Sequence, residues 1–247
     1  MTTLKDDYVL IILSCKKYRK ERREAQIPQF LTNQKVMNGM PYYHVEGNQQ
    51  LFTFKKHKSK QYIINEKERV IYTNTKDDYL SLAHKTIMAF KAVVENFNFK
   101  YILKTDDDQR LIALNFFNEL HGHLIKKKPD YIGRIFNMSE KIEEYQPLVH
   151  REDGFPTGYV VGDGLPFTNG RFYALSRRNV KDLVENKFDL IKEELSEDWA
   201  VAKYMEIVYR KNTLCFETIN IFIDYQDYEK KLQEQNKNQL ANTGKMW

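Results

Sequence analysis

The chain has 247 residues, enough for one large α/β domain, and its 42% hydrophobic content excludes an intrinsically disordered protein. Its 39 basic and 34 acidic side chains leave a net charge of +5, mixed along the chain and without the dense basic patch of a nucleic-acid-binding protein. No apolar run approaches the ~20 residues that a membrane span requires, and two isolated cysteines, Cys15 and Cys215, predict free thiols rather than a zinc site or a disulfide framework.

The first part of the chain predicts a buried strand followed by a helix. The branched-chain run Tyr8–Leu13 is typical of a strand that is covered on both faces. A basic, helix-prone stretch follows over residues 16–25, and Pro28 is expected to limit it. Three shorter strands are predicted at residues 42–45, 62–64 and 69–72.

The middle of the chain contains the clearest predicted helix. Apolar residues recur at steps of three and four over residues 80–97, with Asp77 or Asp78 as the cap, and a strand at 100–104 follows. Further helices are predicted at 111–125, 179–186 and 196–209, and further strands at 130–136 and 171–175. A long loop is predicted at 139–168, a β-rich stretch at 213–223 and a polar tail from residue 226. Alternating strands and helices predict an α/β sheet, in which ligands bind beyond the carboxyl ends of the strands.

Three adjacent carboxylates at the end of a predicted strand, Asp106-Asp107-Asp108, form the first candidate site. Neighbouring carboxylates repel one another, and a hard cation such as Mg²⁺ or Mn²⁺ relieves that repulsion because it prefers oxygen ligands. Residues two apart in an extended chain point to the same side, so Asp106 and Asp108 are expected to address one cation or its bound diphosphate. The alternative is a solvated acidic turn.

The segment Tyr101-Ile-Leu-Lys-Thr-Asp-Asp-Asp108 resembles the metal motif of the β-1,3-galactosyltransferase and Fringe-like glycosyltransferases, glycosyltransferase family 31. Four further segments are similar to motifs of that family and occur in the family's order: Asp77-Asp-Tyr-Leu-Ser-Leu-Ala-His-Lys-Thr86, Tyr131-Ile-Gly-Arg134, Thr168-Asn-Gly-Arg-Phe-Tyr-Ala-Leu-Ser176 and Glu197-Asp198. The order and the spacing together make the resemblance specific.

The resemblance implies a GT-A glycosyltransferase fold in a single domain over residues 1–225, with a mixed, mainly parallel central sheet flanked by helices and a polar tail at 226–247. It implies an inverting enzyme that transfers a hexose (galactose, glucose or N-acetylhexosamine) from a UDP-sugar to a hydroxyl of a glycan or glycoconjugate. The linkage would be β-1,3 and the cofactor Mn²⁺ or Mg²⁺. Family members are usually membrane-anchored, whereas this sequence resembles a soluble version, expected in the cytoplasm or another soluble compartment.

The same resemblance implies roles for six residues. The acceptor hydroxyl must lose a proton as it attacks, and a carboxylate that accepts this proton makes the hydroxyl a better nucleophile. The roles that the family implies are metal ligands at Asp106 and Asp108, donor contacts at Asp106, Asp107, Lys85 and Gly170, and the catalytic base at Asp198.

Simpler interpretations stay open for several of these residues. Lys85 is alternatively a solvated lysine on a helix surface. Glu197 and Asp198 are alternatively ordinary acids in the first turn of a helix, where the helix dipole favours them. A solvated helix face is favoured over contact with the diphosphate for three arginines: Arg19, Arg22 and Arg23.

The sequence departs from the family pattern in two places. Arg171 and Phe172 replace a glycine cluster, which leaves the donor sugar and the acceptor open, and no histidine follows His150 to act as a third metal ligand. Three aromatic residues of the long loop are expected either to stack on sugars or to pack the loop: Tyr145, Phe155 and Tyr159. The competing functions are a metal-dependent nucleotidyltransferase and an inactive carbohydrate-binding module.

Overall fold

A computed structural model of the chain describes residues 4–136 and 165–243. Its strands are β1 Tyr8–Leu13, β2 Tyr42–Gly47, β3 Tyr62–Asn65, β4 Val70–Thr73, β5 Tyr101–Asp106, β6 Gln109–Leu111, β7 Tyr131–Phe136, β8 Phe167–Ser176, β9 Thr213–Cys215 and β10 Phe222–Asp224. Eight of them form one sheet in the order β3-β4-β2-β1-β5-β8-β7-β9, and β6 pairs with β10 in a separate ribbon. Most of the predicted loop at 139–168, with His150 and the three aromatic residues, lies outside the described residues.

The central strands of the sheet run in parallel and bring their carboxyl ends to one edge. β4, β2, β1 and β5 are mutually parallel neighbours, and Leu13 at the end of β1 lies opposite Asp106 at the end of β5. β8 runs antiparallel to β5, with Phe172 opposite Thr105, so the residues just before Phe172 reach the same edge. The predicted mixed, mainly parallel sheet is confirmed, and its edge collects residues 106–108 and 169–171.

Two sets of helices cover the two faces of the sheet. The helices are α1 Glu24–Gln26, α2 Gln34–Met37, α3 Leu82–Asn96, α4 Phe116–Lys127, α5 Arg177–Asn186, α6 Phe188–Ile191, α7 Glu197–Tyr204, α8 Ile207–Lys211 and α9 Tyr225–Thr243. Side chains of β1 alternate between two buried cores: Val9 and Ile11 pack with Phe90 of α3, and Leu10 and Ile12 pack with Phe117 of α4. Burial on both faces explains why β1 has no polar alternation.

The helix predicted at 16–25 extends further than the sequence suggested. A 3-10 turn, Lys16–Tyr18, leads into a π-helical turn, Arg19–Arg23, then α1 and a second π-helical turn, Ile27–Leu31. The prediction that Pro28 limits the helix is wrong, because the helical conformation continues through Pro28, near the start of the last π-helical turn, to Leu31.

Two other predicted helices have different bounds. The helix at 111–125 begins at Phe116, because residues 109–111 form β6 instead. The helix at 196–209 is two helices, α7 and α8, because the backbone is extended at Met205 and Glu206. The polar tail, which the sequence predicts to be either a loose helix or disordered, forms α9 over residues 226–243.

The structure can be compared with the predictions about the cysteines and about membrane-spanning segments. Cys15 and Cys215 are free thiols, but Cys215 is exposed rather than buried. Among the helices of residues 4–136 and 165–243, none combines the length and the apolar character that crossing a bilayer requires.

Candidate active site

A cavity of about 470 Å³ opens at the edge of the sheet where the parallel strands end. Its wall contains all six residues that were predicted to act on the donor, the metal or the acceptor: Lys85, Asp106, Asp107, Asp108, Gly170 and Asp198. They come from β5, β8, α3 and α7 and the turn after β5, so the fold assembles in space what is spread over more than a hundred residues of sequence.

The three adjacent carboxylates differ in their surroundings. Asp107 is buried, accepts a 2.7 Å hydrogen bond from Ser14 Oγ, and donates its backbone N–H to the Leu13 carbonyl at 3.0 Å. Burial raises the pKa of Asp107 to about 6, and the Ser14 hydrogen bond opposes that rise. The side chains of Asp106 and Asp108 are 29% and 33% exposed. The interpretation as a solvated acidic turn is therefore wrong for Asp107.

Lys104 forms a buried polar centre behind Asp106 that the sequence did not indicate. Its side chain is 1% exposed, and Nζ lies 2.9 Å from Asp106 Oδ1, 2.8 Å from the Gly170 carbonyl oxygen and within hydrogen-bonding distance of Glu197 Oε1. Tyr173 donates its hydroxyl to Glu197 Oε2 at 2.9 Å. Burial alone would lower the pKa of Lys104, but the two carboxylates outweigh burial and hold this pKa above its usual value.

Gly170 lies against this polar centre. A β-carbon added at Gly170 would meet Lys104 Nζ at 3.1 Å, Glu197 Oε1 at 3.2 Å and Asp106 Oδ2 at 3.3 Å. These distances are shorter than ordinary van der Waals contacts with carbon, so a larger residue would displace the polar groups. Glycine at this position thus keeps the backbone of β8 close to the carboxylate of Asp106.

Lys85 is buried in the cavity wall rather than solvated on the helix surface, so that alternative is wrong. Its ammonium donates to Asp77 Oδ1 at 2.8 Å and to the Ser14 carbonyl at 3.1 Å. Asp77 also accepts the backbone N–H groups of Gly47 and Lys16, and therefore links β2, β1 and α3. The second candidate cap, Asp78, accepts the Ser81 N–H at the start of α3.

The three arginines near the amino terminus do not form a solvated helix face, and that expectation is wrong. Arg19 and Arg23 both pair with the buried carboxylate of Glu46. Arg22 lines the cavity, with Nη1 3.7 Å from Asp107 Oδ1 and 3.7 Å from Asp108 Oδ2. Its guanidinium lies over the Tyr18 ring, 4.1 Å from the centroid, which fixes a positive charge beside the carboxylate run.

Asp198 lies in the first turn of α7 and faces the cavity. Its Oδ1 accepts hydrogen bonds from Ser196 Oγ at 2.7 Å and from the Trp199 N–H at 2.8 Å. The helix-start role is therefore confirmed for this oxygen, since it satisfies an N–H that has no partner within the helix. The hydrogen bonds of the described residues leave Oδ2 available to a bound molecule.

Residues after the predicted site motifs contact the end of the carboxylate run and its neighbour Gln109. Gln109 Nε2 donates to Asp108 Oδ1 at 3.0 Å and to Asp224 Oδ1 at 2.7 Å. The Tyr225 N–H donates to the Asp108 carbonyl at 2.7 Å, and Asp224 Oδ2 lies 3.3 Å from Arg171 Nη2. Because β10 has only three residues and pairs with a strand more than a hundred positions earlier, no local pattern predicted this contact.

The galactosyltransferase family model matches residues 31–210, which is most of the chain. The chain belongs to the galactosyltransferase family. The resemblance that the ordered motifs indicated is thus confirmed, and with it a glycosyltransferase with the GT-A arrangement of sheet and helices. Arg22, Asp224 and Tyr225 lie outside the matched residues, although Arg22 and Tyr225 contact each other and Asp108, and Asp224 contacts Gln109.

This galactosyltransferase family member is distantly similar to several solved structures. No curated protein matches its sequence. Its structure is similar to 4-diphosphocytidyl-2C-methyl-D-erythritol synthase from Anaerococcus prevotii, with 13% identity, a TM-score of 0.48, and 89% and 91% of the two chains covered. HddC from Yersinia pseudotuberculosis gives 12% identity, a TM-score of 0.47 and coverage of 92% and 99%. A197 from STIV gives 14% identity, a TM-score of 0.43 and coverage of 89% and 87%.

Proposed function

We propose that this galactosyltransferase family member transfers a hexose from a UDP-sugar to a hydroxyl of a glycan or glycoconjugate, with inversion and formation of a β-1,3 linkage. The observation that supports the proposal most is that Asp106, Asp108, Gly170 and Asp198 all line one cavity at the carboxyl edge of the sheet. Such an edge is where open α/β sheets bind nucleotides. The donor would be galactose, glucose or an N-acetylhexosamine linked to UDP.

The residues of the cavity fit a cation that arrives with a diphosphate. Among the described residues, no group of three or more His, Cys, Asp or Glu side chains is arranged as a ready metal site. Mg²⁺ and chemically similar ions often use only one or two carboxylates together with substrate phosphates. Asp108 and Asp106 offer partly exposed carboxylate oxygens of that kind. When bound there, Mn²⁺ or Mg²⁺ would neutralise charge on the departing diphosphate.

Arg22 and Lys85 have different parts in this proposal. The Arg22 guanidinium, held over Tyr18, adds a fixed positive charge next to Asp108, where the diphosphate is expected. Lys85 lines the same wall, and two of the three donors of its ammonium are used by Asp77 and Ser14. We propose that Lys85 lies near the donor, as its motif predicts. We further propose that it acts on the nucleotide indirectly, by ordering the loop after β1.

Asp198 is the proposed base. Its Oδ1 is held by Ser196 and by the Trp199 N–H, which orients the carboxylate in the wall of the cavity. As the acceptor oxygen forms its bond to the anomeric carbon, the bond from that carbon to the diphosphate oxygen breaks. The acceptor proton passes to Asp198, and UDP leaves with the electron pair of the broken bond.

The decisive experiment incubates the protein with Mn²⁺, a panel of UDP-sugars and a panel of glycan acceptors, and measures released UDP and the glycoside product. We expect one donor to be used, and Asp198→Asn to lower transfer by at least about 100-fold with UDP affinity unchanged, because only the proton acceptor is lost. Asp189→Asn, at an exposed carboxylate on α6, is the matched control and should keep full activity.

Other results would favour the competing functions. Release of pyrophosphate from nucleoside triphosphates would indicate a nucleotidyltransferase that uses the same carboxylates. Sugar binding without turnover of any donor would indicate an inactive carbohydrate-binding module. Full transfer by Asp198→Asn would show that another residue accepts the proton.

A further inference from the structure

Lys104 joins three parts of the fold at the floor of the cavity. Its buried ammonium contacts the Asp106 carboxylate at the end of β5, the Gly170 carbonyl in β8 and the Glu197 carboxylate at the start of α7. We propose that Lys104 and Glu197 form a positioning pair that keeps the proton-accepting Asp198 in register with the donor site at Asp106 and Gly170. This inference rests on the proposed function.

The pair connects the donor side and the acceptor side of the proposed reaction through a single cation. On the donor side, Lys104 fixes one oxygen of Asp106 and the carbonyl of Gly170. On the acceptor side, Glu197 immediately precedes Asp198, so anchoring its carboxylate fixes the first turn of α7. A displacement of about 1 Å between reacting groups lowers catalytic rates by about 100-fold, which is the scale at which such a connection matters.

Glu197 itself is not available to the acceptor. Its Oε1 contacts Lys104, its Oε2 accepts the Tyr173 hydroxyl, and its side chain is buried. These contacts favour a structural role for Glu197 over contact with the acceptor. A carboxylate with both oxygens used by the protein acts on the reaction through the groups that it holds in place.

Stability alone does not explain why a lysine and a glutamate are buried here. Replacing a buried ion pair with apolar residues of similar volume is often neutral or stabilising, because the charges no longer need to be taken out of water. β8 and α7 already make apolar contacts beside this ion pair, such as that between Phe167 and Trp199. Apolar residues could not donate hydrogen bonds, so they would not hold the oxygens of Asp106 and Gly170 in a fixed direction.

A double-mutant cycle separates positioning from stability. The proteins are the unsubstituted chain, Lys104→Met, Glu197→Gln and the double variant, and the measurements are the free energy of unfolding, kcat for transfer and KM for donor and acceptor. Lys104→Met alone should be destabilised, because it leaves the buried carboxylate of Glu197 and the partly exposed carboxylate of Asp106 without their cation. The double variant should regain much of the stability, but its kcat should stay about 100-fold low while the acceptor KM changes less than about threefold.

Tyr173→Phe provides a milder variant should the lysine variants fail to fold. It removes only the hydroxyl that holds Glu197 Oε2. We expect kcat to fall about tenfold with donor KM and UDP affinity unchanged, since the donor side is untouched. An unchanged kcat in Tyr173→Phe would count against positioning through Glu197.

A second ion pair, between buried Asp130 and largely exposed Arg178, serves as the control. Asp130 accepts hydrogen bonds from Arg178, Ser176 and Asn212 and lies outside the cavity. The pair variant Asp130→Asn with Arg178→Met should lower stability and keep kcat. If the Lys104 and Glu197 double variant regains kcat together with stability, the positioning role is overturned. If the unsubstituted chain neither binds UDP nor uses any donor, the proposed function fails, and this inference fails with it.

Discussion

Single residues decide which carboxylates of the Asp106-Asp107-Asp108 run face a substrate. Ser14 withdraws Asp107 into the protein, while Asp106 and Asp108 keep partly exposed oxygens. The expected separation of Asp107 from its two neighbours is found, although residues 107 and 108 lie in a turn between β5 and β6 and not in an extended strand. Lys104 could not be predicted in the same way, because its partners lie 66 and 93 positions away and a lysine within a strand has no local signal of burial.

Gly170→Ala tests how tightly the cavity floor is built. The added methyl group would come within 3.1 to 3.3 Å of Lys104, Glu197 and Asp106, so these polar groups must shift by a few tenths of an ångström. We expect kcat for transfer to fall on the order of tenfold, since small displacements of reacting groups are costly. Steady-state kinetics with the preferred donor measures this effect.

Gly122→Ala is the matched control for that substitution. Gly122 lies in α4, and an added β-carbon there meets no atom within 4 Å. Alanine should leave kcat unchanged and stabilise the protein by up to about 1 kcal/mol, because glycine disfavours a helix interior. Equal losses of activity in both variants would contradict the special role of the backbone at Gly170.

At the scale of elements, a buried polar network attaches the helical segment after β1 to β2 and to the carboxylate run. Gln26 donates from Nε2 to the carbonyl oxygens of Asp106 and Gln109, so its Oε1 accepts from His44 Nε2. Arg23 pairs with Glu46, the second residue after His44 in β2. The network explains why this segment stays helical past Pro28, which the sequence pattern alone did not indicate.

The same network predicts a pH dependence of stability. Burial, together with the charges of Arg23 and Arg19, holds the pKa of His44 well below its usual value. His44 therefore stays neutral in the folded state, whereas in the unfolded state it binds a proton below about pH 6.5. The unfolded state then binds more protons, so the His44 contribution to stability is present above about pH 6.5 and is lost by up to about 1.4 kcal/mol per pH unit below it.

Chemical denaturation of the unsubstituted chain and His44→Gln between about pH 5 and pH 8 measures this contribution. Glutamine keeps a donor for Gln26 Oε1 but does not titrate, so the stability difference between the two proteins should change with pH in the predicted direction. His123→Gln, at an exposed position of α4, should follow the unsubstituted chain. A difference that is constant with pH would rule out a neutral, buried His44.

Element prediction succeeded where the pattern was long and failed where tertiary contacts decide. The branched-chain run of β1 and the apolar stripe of α3 are dictated by burial on known faces, and both elements are found. The short strands β6 and β10 exist because they pair with each other, at a separation that no local pattern reports. The break between α7 and α8 arises because buried Met205 adopts an extended backbone.

At the scale of the whole molecule, the parallel strands and the returning β8 create one edge where the family motifs meet. The family match covers residues 31–210, whereas Arg22 and the Asp224-Tyr225 end of β10 and α9 lie on either side of it. These flanking segments hold Asp108 from both directions, through an ion pair and through a backbone hydrogen bond. The order of the sequence motifs predicted the residues at the centre of the site. The contacts made by the flanking segments are visible only in the folded chain.

The central claim is that Asp106 and Asp108 hold a cation together with the diphosphate of UDP. Calorimetric titration of UDP with Mn²⁺ and with a chelator tests it directly, for the unsubstituted chain, Asp108→Ala and the exposed control Asp227→Ala. We predict that Mn²⁺ tightens UDP binding at least about tenfold, equivalent to about 1.4 kcal/mol, in the unsubstituted chain and in Asp227→Ala but not in Asp108→Ala. UDP affinity that is independent of Mn²⁺, or an Asp108→Ala variant that keeps the full Mn²⁺ effect, would contradict the account.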